Sequence, residues 1–328
     1  MSETPPRRAG SVRRTTTHSC TRPDGLEGRV TIVARGRDLH TPPTGDGEVL
    51  DSVRLDASAD FSAGIITEIS CTPPAPGLGD LAGAQAFGGF RARVLEAMPA
   101  ERGSGSVRYQ LLDDLPIALL LSARALRAAG VGMTRVGVRQ QSPIDICAGW
   151  IAGGTADVGT TDQGPPLDRG PAASQLTRDD DRLAWHDIET LPPHSTRRHR
   201  RIDVWQDGDS TEVDCFFRDS FAPADGVETV VHQYRVRGTV DPQTSRFISC
   251  EAEAGRLPYP ECPNALASAH RIVGADVGGL RHVVRTTFVG PTTCTHLNDT
   301  LRSLEDVTTL LSMLSNCALS ADLPRVRR

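Results

Sequence analysis

A cysteine and a histidine one residue apart, at what reads as the mouth of a helix, are the residues of this chain best suited to chemistry. They open CTHLNDTLRSLEDV, residues 294 to 307. Leu297, Leu301, Leu304, Val307 and Leu311 recur at helical spacing and form one apolar stripe, so a helix is expected to follow the histidine. Thr295 is the expected N-cap, its hydroxyl accepting the Asn298 amide proton, with His296 in the first turn and Cys294 just outside. The positive end of a helix dipole lowers a thiol pKa and keeps an imidazole neutral. A thiolate and a neutral imidazole can act as nucleophile and base, or as two metal ligands. Asp299 shares the helix face of His296 and is placed to orient its ring.

Two further sets of residues complete the candidates. His232 and Tyr234 alternate on one face of VVHQYRVRGTV, a strand by its β-branched and alternating pattern, and can supply hydrogen bonds across a pocket. Cys262, in PECPNA, begins another helix and with Cys294 and His296 makes a soft ligand set for zinc or iron, which Asp219 or Asp299 could complete. Structural readings stand beside these. A cysteine at a helix start is often a small buried hydrophobe, and a strand histidine is often a satisfied core residue. Arg218-Asp219 reads as a structural ion pair or turn.

The elements that position these residues come in two similar runs. GIITEISCTPPAPGL and TSRFISCEAEAGRL share Ile-Ser-Cys with a leucine seven residues on, at an offset of 248 − 69 = 179, and VARGRDLH aligns with CFFRDSFA, Arg37-Asp38 over Arg218-Asp219. Each run is a series of strands followed by helices. Strands are expected near 28–36, 48–60 and 63–71, with helices near 80–98 and 107–129. In the second run RIDVWQ, TEVDCFFRDSF, ETVVHQYRVRGTV and TSRFISCEAEA precede CPNALASAHRIVG and VGGLRHVVRTTF. The expected fold is α+β, a tandem pseudo-repeat in which each half is an antiparallel meander with helices on one face. Its units are a flexible tail over 1–25, a degenerate repeat over 26–130, a linker or insert over 131–196 packed in part around Trp150 and Trp185, the C-terminal domain over 197–315, and a tail over 316–328. By that alignment His232 and Tyr234 fall opposite Val53 and Leu55, so the second half is the one that keeps polar groups.

Composition bounds the function. The net charge of −5 argues against a nucleic-acid partner, and the basic run Arg197 to Arg201 is expected to be a solvated approach to a strand. All 36 basic residues are arginine, a composition of the kind GC-rich actinobacterial genomes produce, which removes side-chain Schiff-base and P-loop chemistry. The N-terminal stretch lacks an apolar secretory core, and LPIALLLSARALRAAG is too short for a bilayer, so a cytoplasmic protein with reduced cysteines is expected, without membrane contact.

RRIDVW, FFRDSF, VVHQYRVRGTVD, LPYPECPNALAS, RIVG and CTHLNDTLRSLEDV together resemble the bacterial domain-of-unknown-function family numbered 2889, over roughly residues 197 to 312. Thr293 stands where that motif usually has glycine. A meander followed by CPNALAS, VGADVGGL and a helix opening on Cys and His is also similar, at the level of fold order, to NifU-like iron-sulfur scaffolds, which implies that Cys262, Cys294 and His296 gather at one end of the sheet. Three classes follow. One is an enzyme domain acting on a small organic molecule, with His296 as acid or base, Cys294 as neighbour or nucleophile, Asp299 as orienter, and His232 and Tyr234 across the pocket. The others are a non-catalytic metal- or small-molecule-binding protein and a self-associating accessory protein.

Overall fold

A computed structural model describes residues 3–131, 143–161 and 164–321. Eight strands form one antiparallel sheet: β1 Ser11–Thr21, β2 Val30–Thr41, β3 Glu48–Asp60, β4 Ile65–Thr72, β5 Ser195–Asp207, β6 Ser210–Ala222, β7 Thr229–Asp241 and β8 Arg246–Arg256. Their order is β4-β3-β2-β1-β5-β6-β7-β8, so two four-stranded meanders join edge to edge through β1 and β5. The α+β class and the strands-then-helices order are as expected.

The N-terminal region differs from expectation. The tail over 1–25 contains β1, a central strand paired with β2 and β5, whose threonine-rich and largely polar side chains are covered on both faces. The basic run is likewise buried rather than solvated: Arg197, Arg198, Arg200 and Arg201 are each no more than 3% exposed. Charge alone suggested a wet segment, but here each guanidinium meets a carboxylate or a carbonyl.

The helices lie on one face. α1 Phe90–Ala97, α2 Val107–Leu121 and α3 Ala123–Ala128 follow the first meander. The helix expected over 80–98 is broken because Gly83 and Gly89 take positive φ, leaving a 3-10 turn at Leu78–Leu81 before α1. α2 presses onto β2 where Gly36 has no side chain, since a Cβ there would sit 2.4 Å from Val107 Cγ2. After the short α4 Thr155–Val158 and the second meander come a 3-10 helix Cys262–Ile272, then α5 Leu280–Thr287, α6 Thr295–Ser303 and α7 Val307–Ala321. α7 lies on β1 and β5 and runs past 315, into the expected C-terminal tail. Residues 132–142 and 162–163 of the expected linker, and 322–328 of that tail, lie outside the described residues.

The linker closes the second face of the central strands. Trp185 is 1% exposed against Phe216 and His199, and both His186 ring nitrogens lie 2.8 Å from hydroxyls, Nδ1 from Thr15 and Nε2 from Thr17. Arg13 reaches Asp203 and the Ala184 carbonyl on this side. The sheet centre is thus buried on both faces, which is why β1 and β5 read as polar yet carry almost no exposed surface.

Burial sets the acid sensitivity of this fold. His18, His186 and His199 are buried and held below the ordinary imidazole range, chiefly by desolvation, His199 down to about 4. His199 lies 3.7 Å from Glu228; since the imidazole is neutral at pH 7, Arg197 and the Ser220 hydroxyl are the partners that hold the part-buried Glu228 carboxylate down there. A histidine whose folded value is depressed contributes stability fully above its unfolded value and loses it as pH falls toward the folded one. For His199 alone the loss down to pH 4 is on the order of 3 kcal/mol. The guanidinium unfolding midpoint should therefore drop steeply between pH 7 and pH 5, above the main carboxylate range; equal midpoints at the two pH values would contradict the neutral burial of these rings.

Candidate functional site

On the helix face, a row of side chains crosses the sheet at one level: His18 on β1, Arg198 on β5, Asp219 on β6 and His232 on β7, each paired with the next in the strand register. Arg198 grips Asp219 with two parallel bonds, Nε to Oδ1 at 2.9 Å and Nη2 to Oδ2 at 3.0 Å. Its Nη1 donates to Asp299 on α6 at 3.0 Å and reaches Asp114 on α2 at 3.5 Å. Arg200 binds Asp114 and the Ser303 hydroxyl, and Phe217 lies beneath both guanidiniums. Desolvation pushes the Asp219 carboxyl up, but the charge of Arg198 and its two hydrogen bonds outweigh it and hold the group well below the usual range.

The two histidines of the sequence reading come together over this carboxylate. Their rings stack with centroids 3.6 Å apart and planes 21° from parallel. His232 Nδ1 is 3.6 Å from Asp219 Oδ2 and His296 Nε2 is 3.7 Å from the same oxygen. Both separations exceed ordinary hydrogen-bond length, and His232 Nδ1 is buried with no hydrogen-bond partner. Burial holds His232 below the ordinary imidazole range, offset in part by Asp219, with Arg124 and Arg198 adding to the lowering.

Cys294 is the N-cap of α6; its carbonyl, not the expected Thr295 hydroxyl, accepts the Asn298 amide at 2.7 Å. The Thr295 hydroxyl turns instead toward His296 Nδ1, at 3.4 Å. Tyr234, fully buried, donates its hydroxyl to Cys294 Sγ at 3.2 Å, and that sulfur lies 3.9 Å from His296 Nδ1. Burial, with Cys294 alongside, raises the Tyr234 phenol above its ordinary range.

His232, Tyr234, Cys294 and His296 thus share one cluster, on one face of the sheet. Two expectations about it need correction. Asp299 does not orient His296: it is taken up by Arg198 and by Arg302 at 3.2 Å, and Asp219 holds the position facing the ring. Cys262 is not among the converging donors. Among the described residues the group whose donor atoms lie within 4.8 Å of one another is Asp219, His232 and His296. Cys262 is buried near Cys294 and Cys147, which with desolvation push its thiol up to about 12. The His232 and His296 side chains are 13% and 23% exposed, and two surface clefts, of about 230 Å³ bordered by Tyr234 and of about 180 Å³, include neither histidine.

The sequence reading undervalued Asp219 and missed Arg198 and Asp114. The signal for the pair was present, since Arg14-Asp38 makes the same two-pronged contact in the first meander, at 2.7 and 2.6 Å. Strand register also revises the comparison of the halves. Asp38 faces Asp51 on β3 as Asp219 faces His232 on β7, so Asp51 and Val53, rather than Val53 and Leu55, stand in the places of His232 and Tyr234.

Residues 196–310 match the family model DUF2889, described as a protein of unknown function. No curated protein and no solved structure matches the chain. The DUF2889 segment contains β5 to β8 and every member of the histidine cluster, and it ends within α7. It does not contain β1 or Asp114, which cover one edge of β5 and neutralise Arg200. Among the described residues no helix is long and apolar enough to cross a membrane.

An isolated DUF2889 segment carried to Ala321 should therefore fail to fold as a monomer, because removing one partner of a buried ion pair costs about 3–5 kcal/mol and the β5 edge would also be left open. Circular dichroism with sedimentation checks this, and a cooperative, monomeric unfolding transition would refute it.

Proposed function

We propose that the C-terminal half carries a mononuclear divalent-metal site built from Asp219, His232 and His296, and that the ion activates water or polarises a small bound molecule. The supporting observation is the spacing: His232 Nδ1 and His296 Nε2 lie 3.6 and 3.7 Å from the same oxygen of Asp219, and all three donor atoms lie within 4.8 Å of one another. Ligands about 2.0–2.2 Å from one tetrahedral ion stand roughly 3.4 Å apart, close to these values and unlike hydrogen bonds. Two imidazoles and one carboxylate suit zinc or ferrous iron and leave positions for solvent or substrate. The His296 side chain, 23% exposed, is the ligand nearest to solvent.

In this reading the surrounding residues orient the ligands. Cys294 and Tyr234 act behind His296, fixing its ring through Nδ1, and Arg198 with Asp299 fixes Asp219. Acid–base work then falls to ion-bound water, because both ring nitrogens facing Asp219 are used as ligands. The bound molecule is a small organic one, eight free cysteines support a reducing cytoplasmic setting, and the two halves are copies of one unit of which the first has lost the histidines.

A second reading is favoured by the continuous line Tyr234, Cys294, His296, Asp219: a metal-free site with Cys294 as nucleophile and His296 as its base.

The two readings are separated by elemental analysis of untagged, dialysed protein together with zinc titration against a competing chelator. The metal reading expects one ion per chain, lost in His232→Ala and in His296→Ala and retained in Cys262→Ala. Metal-free protein that also takes up no zinc, in which Cys294 alkylation slows at least tenfold on His296→Ala, would replace it with the thiol reading.

A further inference from the structure

Beside the histidine cluster lies a group of positive charges that the sheet network does not neutralise. Arg124 and Arg127 on α3 and Arg256 at the end of β8 are close enough that each charge acts on the next, and Arg124 also acts on His232. Among the described residues neither Arg124 nor Arg127 has a carboxylate within ion-pair distance, while Arg256 pairs with Asp168, whose side chain is half exposed. The segment Gly164–Asp168 passes over the group. Arg124 donates to the Asp168 carbonyl, Arg127 to the Pro165 carbonyl, and the Tyr259 hydroxyl to the Pro166 carbonyl at 3.2 Å.

These contacts leave donors over. The Nε of Arg124, Arg127 and Arg256 are all buried without an acceptor. Deepest in the sheet centre the guanidiniums are matched by carboxylates, Arg14 by Asp38 and Asp306 and Arg198 by Asp219 and Asp299, whereas the buried Arg37 has the Leu183 carbonyl. Three part-exposed guanidiniums gather here beside one carboxylate, that of Asp168 on Arg256, so the group carries more positive charge than its neighbours neutralise. Desolvation and the neighbouring arginines bring the Arg124 guanidinium down to about 10, the direction expected where like charges gather without a counterion.

We propose that Arg124, Arg127 and Arg256 form a recognition site for an oxyanion, the carboxylate or phosphate of a small substrate, with Asp168 occupying part of it in the free protein. Guanidinium forks match both groups geometrically and are less strongly hydrated than an ammonium. α3 packs through Ala125 on Phe221 and on Val231, the residue before His232 in β7, so on the metal reading the anion site holds the substrate by its charged end on the His232 side. The anion site itself needs no metal, and only the purpose assigned to it rests on that reading.

The test uses full-length, metal-free protein titrated calorimetrically with inorganic phosphate and, separately, with benzoate. Saturable binding of at least one at a single site is expected, weakened on the order of tenfold by Arg124→Gln or Arg256→Gln and tightened by Asp168→Asn, which removes the resident carboxylate from a half-exposed position. Absence of binding for both anions in the native chain and in Asp168→Asn, or binding unchanged by both arginine substitutions, would overturn the proposal. Zinc uptake measured on the same variants keeps the two ideas apart: Arg124→Gln should retain the ion while losing the anion, and His232→Ala the reverse.

Discussion

Where the two meanders meet, guanidinium groups lie between a sheet and its helices with no water to solvate them. Arg14, Arg198 and Arg200 are at most 1% exposed, and each reaches a carboxylate contributed by the other half or by a helix above it: Arg14 to Asp306, Arg198 to Asp299 and Asp114, Arg200 to Asp114. Withdrawing such charges from water costs several kcal/mol per ion and is offset only when every donor finds a partner. The stabilisation of the join is thus small, and its selectivity large, since a shifted register would separate charges that have no alternative. Arginine suits this because its fork spans a strand neighbour and a helix at once, as Arg198 does with three aspartates; a lysine is a point charge.

The candidate site inherits its geometry from that join. Asp219 faces the histidines with one oxygen while both its oxygens are held by Arg198, and Arg198 is held in turn by α6 and α2. α6 therefore meets the site twice, through His296 at its first turn and through Asp299 one turn later. The first half, though it contributes no member of the histidine cluster, fixes the carboxylate on which that cluster converges.

Much of the fold was readable because it follows periodicity. The second meander, the helix after His296 and the shared cluster of His232, Tyr234, Cys294 and His296 all rest on alternation or on helical spacing. The failures share a cause. SVRRTTTHS and STRRHRR are polar almost throughout and show no alternation, and polarity was taken for solvation; nothing local in either segment announces that Asp38, Asp203 or Asp219 waits opposite. Asp299 was chosen over Asp219 as the partner of His296 for the same reason, since helix spacing is visible in sequence whereas strand register is not. The alignment of the halves slipped by two residues, because 179 is the offset of Ile-Ser-Cys and 219 − 38 = 181 is that of the Arg-Asp pairs.

The position of β1 also has a consequence for how the chain is made. Of the eight strands it is made first, yet its second edge stays uncovered until β5 exists, because Arg14 pairs across the sheet with Ile202, 202 − 14 = 188 residues later. At about 5–20 residues per second, one edge of β1 stays open for roughly ten to forty seconds while the first meander can already fold behind it. Through that interval the edge presents Arg13 and Arg14, charges that discourage pairing with another open strand until β5 arrives. The residues that make the finished join selective thus also guard the half-made protein.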